Sequence, residues 1–244
     1  MRYFCRIIYD GTRFGGWQRQ PDEPSVQQLL EECAQVVLRS PVSFTGAGRT
    51  DAGVHAAAQG AHFDYDGIIE PRRFIHSLNA LLPPEVAIHD VRKVAPDFHA
   101  RYSALRRTYR YCITTRKSPL LARRAWPVTF DVDWGMVTVQ IPALLGEHDF
   151  SAFCASGSGS ATALCTVYAT SLGQERECMV FSIEANRFVY KMVRSIVGTL
   201  VDIGRGRLRS TLGEILDSRD RSQTGTTAPP FGLTLDNVTY SEVE

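Results

Sequence analysis

The stretch Gly46-Ala47-Gly48-Arg49-Thr50-Asp51-Ala52-Gly53-Val54-His55 decides how the rest of the chain is read. Three glycines in eight residues permit sharp turns and the close approach of another molecule. The spacing begins like the dinucleotide-binding pattern G-x-G-x-x-G, but Asp51 stands where the third glycine belongs. The sequence that follows, Ala58 to Tyr65, is strand-like rather than helical, whereas a phosphate cradle opens a helix. A carboxylate at that position would also repel a pyrophosphate. The parallel βαβ reading is therefore disfavoured, and the stretch reads as a loop between two strands.

Outward from this loop the pattern is consistent. Tyr3 to Tyr9 reads as a strand and Asp10 to Gln18 as a first Gly-rich loop. Ser25-Val26-Gln27-Gln28 resembles a capping box, and Val26, Leu29, Leu30, Cys33 and Val37 follow helical spacing. Val42 to Phe44 is a short strand. Pro71 opens a second helix carrying Phe74, Ile75, Leu78, Leu81 and Leu82, which Pro83-Pro84 ends. Val86 to Val94 completes the order β-α-β-β-α-β, which suits an antiparallel sheet with helices on one face. In the second half, Thr108 to Thr115, Ala163 to Leu172, Cys178 to Ile183 and Phe231 to Tyr240 read as strands. Val132 to Leu145 is a helix interrupted by Pro142, Arg187 to Ile203 a strong helix and Leu212 to Asp217 a shorter one. Ala155 to Ala161 is Ser/Gly-rich and reads as a flexible loop. The expected fold is α+β, two related halves of mixed, mainly antiparallel sheet with helices packed on one side, divided as residues 1–103 and 104–244.

Composition narrows the classes. Charged residues make up 22% and the hydrophobic set 44% of 244 residues, ordinary values for a soluble domain. No apolar run approaches the roughly 20 residues that span a bilayer, so no membrane association is expected. Met1-Arg2-Tyr3-Phe4-Cys5 leads straight into strand-like sequence without the apolar stretch of a signal peptide. The six cysteines are scattered without a C-x-x-C pair, and the histidines form no recognisable metal set, so neither disulfides nor a metal are expected. These features point to the cytoplasm. Net charge is only +1, but the 27 basic residues include just three lysines, Lys93, Lys117 and Lys191. Arg101, Arg106, Arg107, Arg110, Arg116, Arg123 and Arg124 cluster, interleaved with Tyr102, Tyr109 and Tyr111, and Arg205, Arg207 and Arg209 form a second group. Arginine recognises phosphate bidentately and stacks on bases, which suits RNA.

A short acid on a loop between strands can present a carboxylate into a cleft, and it acts as a nucleophile only when ionised and positioned. A nearby guanidinium keeps it ionised. Arg49 and Arg194 are the two candidates. Lys191, Arg194, Ser195 and Gly198 form a polar or small stripe on an otherwise apolar helix, where a partly buried Arg should have an acidic partner. On spacing alone, Asp51 capping a turn and Arg194 lying at the surface is the simpler account.

The Gly46–His55 stretch closely resembles the signature of the tRNA pseudouridine synthase I (TruA) family. So do Tyr9-Asp10-Gly11-Thr12, Gly16-Trp17-Gln18-Arg19-Gln20, His99-Ala100-Arg101-Tyr102-Ser103-Ala104, Tyr109-Arg110-Tyr111, Met192-Val193-Arg194-Ser195-Ile196-Val197-Gly198 and Gly232-Leu233-Thr234-Leu235. These matches run in family order over nearly the whole chain. The resemblance implies the pseudouridine synthase fold with an active-site cleft between the halves. It implies an isomerase that converts uridine to pseudouridine at positions 38, 39 and/or 40 of the tRNA anticodon stem-loop, without a cofactor, as a homodimer. It further implies Asp51 as nucleophile, attacking C1′ or C6, Tyr109 for base stacking and proton transfer, and Arg194 to orient Asp51. Phosphate contacts are assigned to Arg13, Arg19, Arg49, Arg101, Arg110 and the Arg205–Arg209 group. His55 is expected to pack or hydrogen-bond within the loop, and Trp17 to pack rather than stack on a base. Two departures stand out: Cys165 occupies a strand position where the family often has Arg, and the Ala155–Ala161 loop is unusually Ser/Gly-rich. A non-catalytic RNA-binding module, a nucleotide-binding oxidoreductase and a pseudouridine synthase for another RNA are the competing readings.

Overall fold

A computed structural model describes residues 1–157 and 162–241. The Ala155–Ala161 loop thus lies partly outside the described residues. The chain divides into two units, one of residues 1–107 together with the segment from Thr234 onward, the other of Thr108–Leu233.

In the first unit the strands are β1 (Arg2–Tyr9), β2 (Thr45–Gly46), β3 (His55–Asp64), β4 (Val86–Val94) and the final strand β10 (Leu233–Tyr240). Their order is β4-β1-β3-β10, with β2 laid on β3. β1 runs antiparallel to β3 and to β4, β2 antiparallel to β3, and β10 parallel to β3. The last strand groups with this unit because Thr234 and Leu235 pair with His55 and Ala56. Helix α1 (Val26–Leu38) starts at Ser25, whose hydroxyl accepts from Gln28 N–H. The capping box is only half formed: the Gln28 side chain reaches forward to Glu32 at 2.9 Å instead of back to the cap. Helix α2 (Pro71–Leu81) begins at Glu70, whose carboxylate accepts from the N–H groups of Arg72 and Arg73. Asn79 ties α2 to β4, its amide bonding both the N–H and the carbonyl of Ile88 at 2.8 Å. Trp17, Tyr240, Phe4, Phe44, Phe63 and Phe98 supply the largest fully buried side chains of this unit.

The second unit continues β5 (Ala104–Thr114) from Thr108 and adds β6 (Trp126–Pro127), β7 (Gly146–Asp149), β8 (Leu164–Glu175) and β9 (Cys178–Ala185). Its order is β5-β9-β8-β7, with β6 beside β5. The β8–β9 and β7–β8 pairs are antiparallel and the β5–β6 pair parallel. The fold is thus α+β with mixed, mainly antiparallel sheet. The helix expected over Val132–Leu145 is α3 (Trp134–Gln140), which passes into a 3₁₀ turn, Ile141–Leu144, where Pro142 removes a backbone donor.

Helix α4 (Met192–Gly204) starts five residues later than its apolar pattern predicts. Lys191 is left-handed, with φ 60°, and a non-glycine residue there cannot continue a right-handed helix. Phe188 and Val189 therefore belong to the preceding loop. Helix α5 (Leu212–Ser218) carries a complete capping box between Thr211 and Glu214. No helix of the described residues is long and apolar enough to cross a membrane.

Candidate active site

The Gly46–His55 loop is bonded to the middle of β3 near its first residues and, through Gly53 N–H to Phe14 O at 3.3 Å, to the first Gly-rich loop near its last. Ala47 N–H donates to Gly60 O at 2.7 Å, and the buried Gln59 side chain donates to Gly48 O at 2.8 Å. Thr50 is held from below: its carbonyl accepts from Trp17 N–H at 3.2 Å and its hydroxyl meets Tyr9 Oη at 2.8 Å. Asp51 then opens a turn in which its carbonyl accepts from Val54 N–H at 3.1 Å. Gly53, with φ 76°, occupies the turn position that requires a left-handed residue. Asp51 itself is half-buried on this fixed turn.

The first Gly-rich loop is the floor of the second. A Cβ on Gly16 would sit 2.5 Å from Thr50 O, and one on Gly11 only 2.0 Å from Val54 O. Trp17 is buried beneath Gly46 and acts as a packing residue. His55 is buried too, and Gly11 N–H donates to its Nδ1 at 3.1 Å. The Asp10 carboxylate lies 3.2 Å from the same nitrogen.

In the second unit Tyr109 lies half-buried on β5, its ring edge-on to Phe188 at 4.9 Å. Tyr111 lies two residues along, on the same face of the strand. It is committed elsewhere, with its hydroxyl donating to Pro229 O at 2.8 Å and its ring against Gly232. Burial raises the Tyr111 pKa, which the Arg194 charge partly counters. Arg194, half-buried on α4, donates from Nε to Ala228 O at 2.9 Å, and Ala228 N–H returns a bond to Arg194 O at 3.0 Å. One strap, Ala228–Pro229, thus receives both Arg194 and Tyr111.

The small and polar stripe of α4 seats that strap. A Cβ on Gly198 would fall 1.6 Å from Thr226 O. Arg221 donates to Ser195 Oγ at 2.7 Å, Gly225 N–H to Thr199 Oγ1 at 3.0 Å and Thr226 N–H to Asp202 Oδ2 at 2.7 Å. Lys191 is not on the stripe; it precedes the helix, with its ammonium 4.9 Å from the Tyr190 ring centroid.

The arginines assigned to RNA are placed variously. Arg13 pairs with Glu85 at 3.0 Å, Arg19 with Glu31 at 3.2 Å and Arg110 with Glu175. Arg49 and Arg101 are exposed. Arg205 lies 3.9 Å from the Phe130 ring centroid and Arg207 3.7 Å from Asp202. Pairs open to solvent on both sides contribute about 0–1 kcal/mol; Glu31 and Asp202, by contrast, are buried acids.

Three residues with a positioning part were missed. Arg107 donates to Ala47 O at 3.1 Å, Arg101 O at 2.5 Å and Ala104 O at 2.9 Å, joining the turn after His99 to the base of the Asp51 loop. Gln27 and Glu31, buried on α1, hold Phe44 by its backbone, and Gln27 also receives Gln18 and Arg19 N–H. Their i, i+4 spacing within an apolar stripe was the available signal. Cys165 is buried, and burial pushes its thiol up to about 11. Among the described residues, no group of three or more His, Cys, Asp or Glu is arranged to hold a metal ion.

The family model described as tRNA pseudouridine synthase matches residues 7–103 and 141–241. Curated relatives align over almost the full length. A tRNA pseudouridine synthase A from Bacteroides thetaiotaomicron is 40% identical, covering 99% of this chain and 91% of the relative. Proteins of the same name from Exiguobacterium sibiricum and Caldicellulosiruptor saccharolyticus are 36% and 38% identical, covering 99% and 96% of this chain and 97% of each relative. This match and these relatives make the chain an isomerase acting on tRNA uridine. The chain belongs to the tRNA pseudouridine synthase family.

Proposed function

We propose that this protein converts uridine to pseudouridine at positions 38, 39 and/or 40 of the tRNA anticodon stem-loop, with Asp51 as nucleophile. The observation that carries this reading is the Asp51 turn: a half-buried carboxylate on a loop whose backbone is fixed from below by Tyr9, Trp17, Gly11 and Gly16. A reacting group held by rigid surroundings needs little reorganisation when the substrate arrives. The Asp51 carboxylate attacks C1′ of the ribose or C6 of the base. The N1–C1′ bond breaks, the uracil turns within the site, C5 bonds to C1′, and the bond between Asp51 and C1′ or C6 breaks, returning the free carboxylate. The C5 proton is lost and N1 gains one, so the reaction is redox-neutral.

Tyr109 stacks on the uracil and its hydroxyl assists removal of the C5 proton. Arg194 is the cation that keeps Asp51 ionised and oriented. Arg13, Arg19, Arg49, Arg101 and Arg110 contact phosphate, which helps offset the few kcal/mol needed to extrude a base. The protein works in the cytoplasm as a homodimer.

Tritium release from tRNA labelled at uridine C5 tests the chemistry. Wild-type protein should release tritium, and Asp51→Asn should still bind tRNA while losing more than about 10³-fold in turnover. A folded Asp51→Asn with wild-type release would remove Asp51 as nucleophile.

A further inference from the structure

The turn after β4 carries an aromatic arrangement that the reaction as described does not use. Tyr102 is 78% exposed, unusually so for a large ring. It is nevertheless not loose. Its ring lies 4.4 Å, centroid to centroid, from His99, which in turn lies 4.8 Å from the buried His62. His99 Nδ1 accepts the backbone N–H groups of Arg101 and Tyr102, at 3.2 and 3.4 Å, and Ser103 Oγ accepts His99 N–H at 3.0 Å. His62 Nδ1 accepts Ala100 N–H at 3.2 Å. The Arg101 guanidinium sits 5.8 Å from the Tyr102 centroid. The result is a graded cluster of tilted rings, buried at His62 and open to solvent at Tyr102, with the Arg101 cation over the Tyr102 ring.

The same turn is joined to the Asp51 loop within one unit. Arg107 bonds Arg101 O on one side and Ala47 O on the other. His62 pairs across the sheet with Thr45, immediately before the loop begins. The exposed ring is therefore fixed relative to the loop by side-chain and backbone bonds, not left to a mobile tip.

We propose that Tyr102, backed by His99 and flanked by Arg101, is a stacking platform for an unpaired nucleobase of the RNA substrate, with Arg101 on the adjacent phosphate. This rests on the reading of the chain as a tRNA-binding isomerase and adds to it a second base-contacting subsite, distinct from Tyr109. An exposed π-face offered by a fixed backbone accepts any base without reading its edges, so the contact contributes affinity and placement rather than sequence choice. An already ordered turn also loses little conformational entropy on binding.

The test uses the full-length protein in an Asp51→Asn background, so that binding is measured without turnover, with an unmodified tRNA transcript over a range of salt. Tyr102→Ala should raise Kd about 5- to 100-fold. The slope of log Kd against log salt should not change, because a stacked base releases no counterion. Tyr102→Phe should stay within about twofold of the parent, since the ring is retained. Arg101→Ala should reduce the magnitude of the salt slope by about one, the loss of one phosphate contact. Unchanged affinity in Tyr102→Ala would overturn the proposal. So would a loss in Tyr102→Phe as large as that in Tyr102→Ala, or a change of oligomeric state, by sedimentation, in place of a change in affinity. Tritium release by the protein with Asp51 intact is scored separately: its absence, with Tyr102 still needed for binding, would sink the isomerase reading and leave the platform standing.

Discussion

Two tyrosines two positions apart on β5 are given different work by their surroundings. The Tyr111 hydroxyl is bonded to Pro229 O and its ring is buried against Gly232, so it serves the strap. Tyr109 keeps a half-buried ring set edge-on to Phe188. Tyr109→Phe removes only the hydroxyl. If the hydroxyl assists removal of the C5 proton, turnover should fall about 10²- to 10⁴-fold with tRNA affinity unchanged, read as kcat against Kd. Full activity in Tyr109→Phe would leave stacking as its whole contribution. The Asp51 loop shows the same economy at single positions: Gly11, Gly16 and Gly53 each meet a steric or conformational demand that a Cβ would violate.

Among the elements, α4 carries the most unusual face. Its apolar residues Met192, Val193, Ile196, Val197 and Leu200 are buried, as the helical pattern predicts. Its small and polar stripe is covered by the segment from Arg221 to Pro229, which approaches so closely that Gly198 has no room for a side chain. Gly198→Ala should therefore cost about 1–3 kcal/mol of stability by overpacking, despite the better helix propensity of alanine. A urea melt should show the midpoint falling. Because the displaced strap carries Ala228 O, the partner of Arg194 Nε, turnover should fall with it. A midpoint equal to or above wild type would show that the strap is not seated on Gly198.

The whole molecule has nearly balanced charge, +1 over 244 residues, so its response to pH depends on individual buried groups rather than on net repulsion. His62 is the clearest. Burial first, then the charges of Arg2 and His99, hold its pKa down at about 4, against an ordinary value of 6.5; Asp64 and a hydrogen bond to the Thr45 backbone pull the other way. The folded state thus resists protonation that the unfolded chain accepts. Stability from this group is complete above about pH 6.5 and declines as pH falls toward 4, where the folded form also protonates. His62→Asn, which keeps a polar acceptor without titrating, should flatten the fall in Tm across that window. An unaltered pH profile would mean that His62 does not govern it.

Much of the architecture was legible in the residues themselves. Alternating and 3.6-period apolar patterns located β1, β3, β4, β8, β9, α1, α2 and most of α4, because each element buries one face and the period of the chain registers that face directly. Where the reading slipped, a local signal was overridden. The apolar spacing runs back through Phe188, but the left-handed Lys191 starts α4 later. The short strand expected at Val42–Phe44 forms at Thr45–Gly46, where β3 supplies partners. By itself the sequence determined the α+β class, the family, and the loop that holds Asp51, since a family signature is a local string of residue types. The three-dimensional packing was needed to show that Gln27, Glu31 and Arg107 brace the loop, that the α4 stripe seats a strap, and that Tyr102 stands exposed beside His99. The reason is distance along the chain. Arg107 reaches Ala47 across 60 residues and Tyr240 reaches Ala100 across 140, and such hydrogen bonds leave no periodicity in the sequence between them.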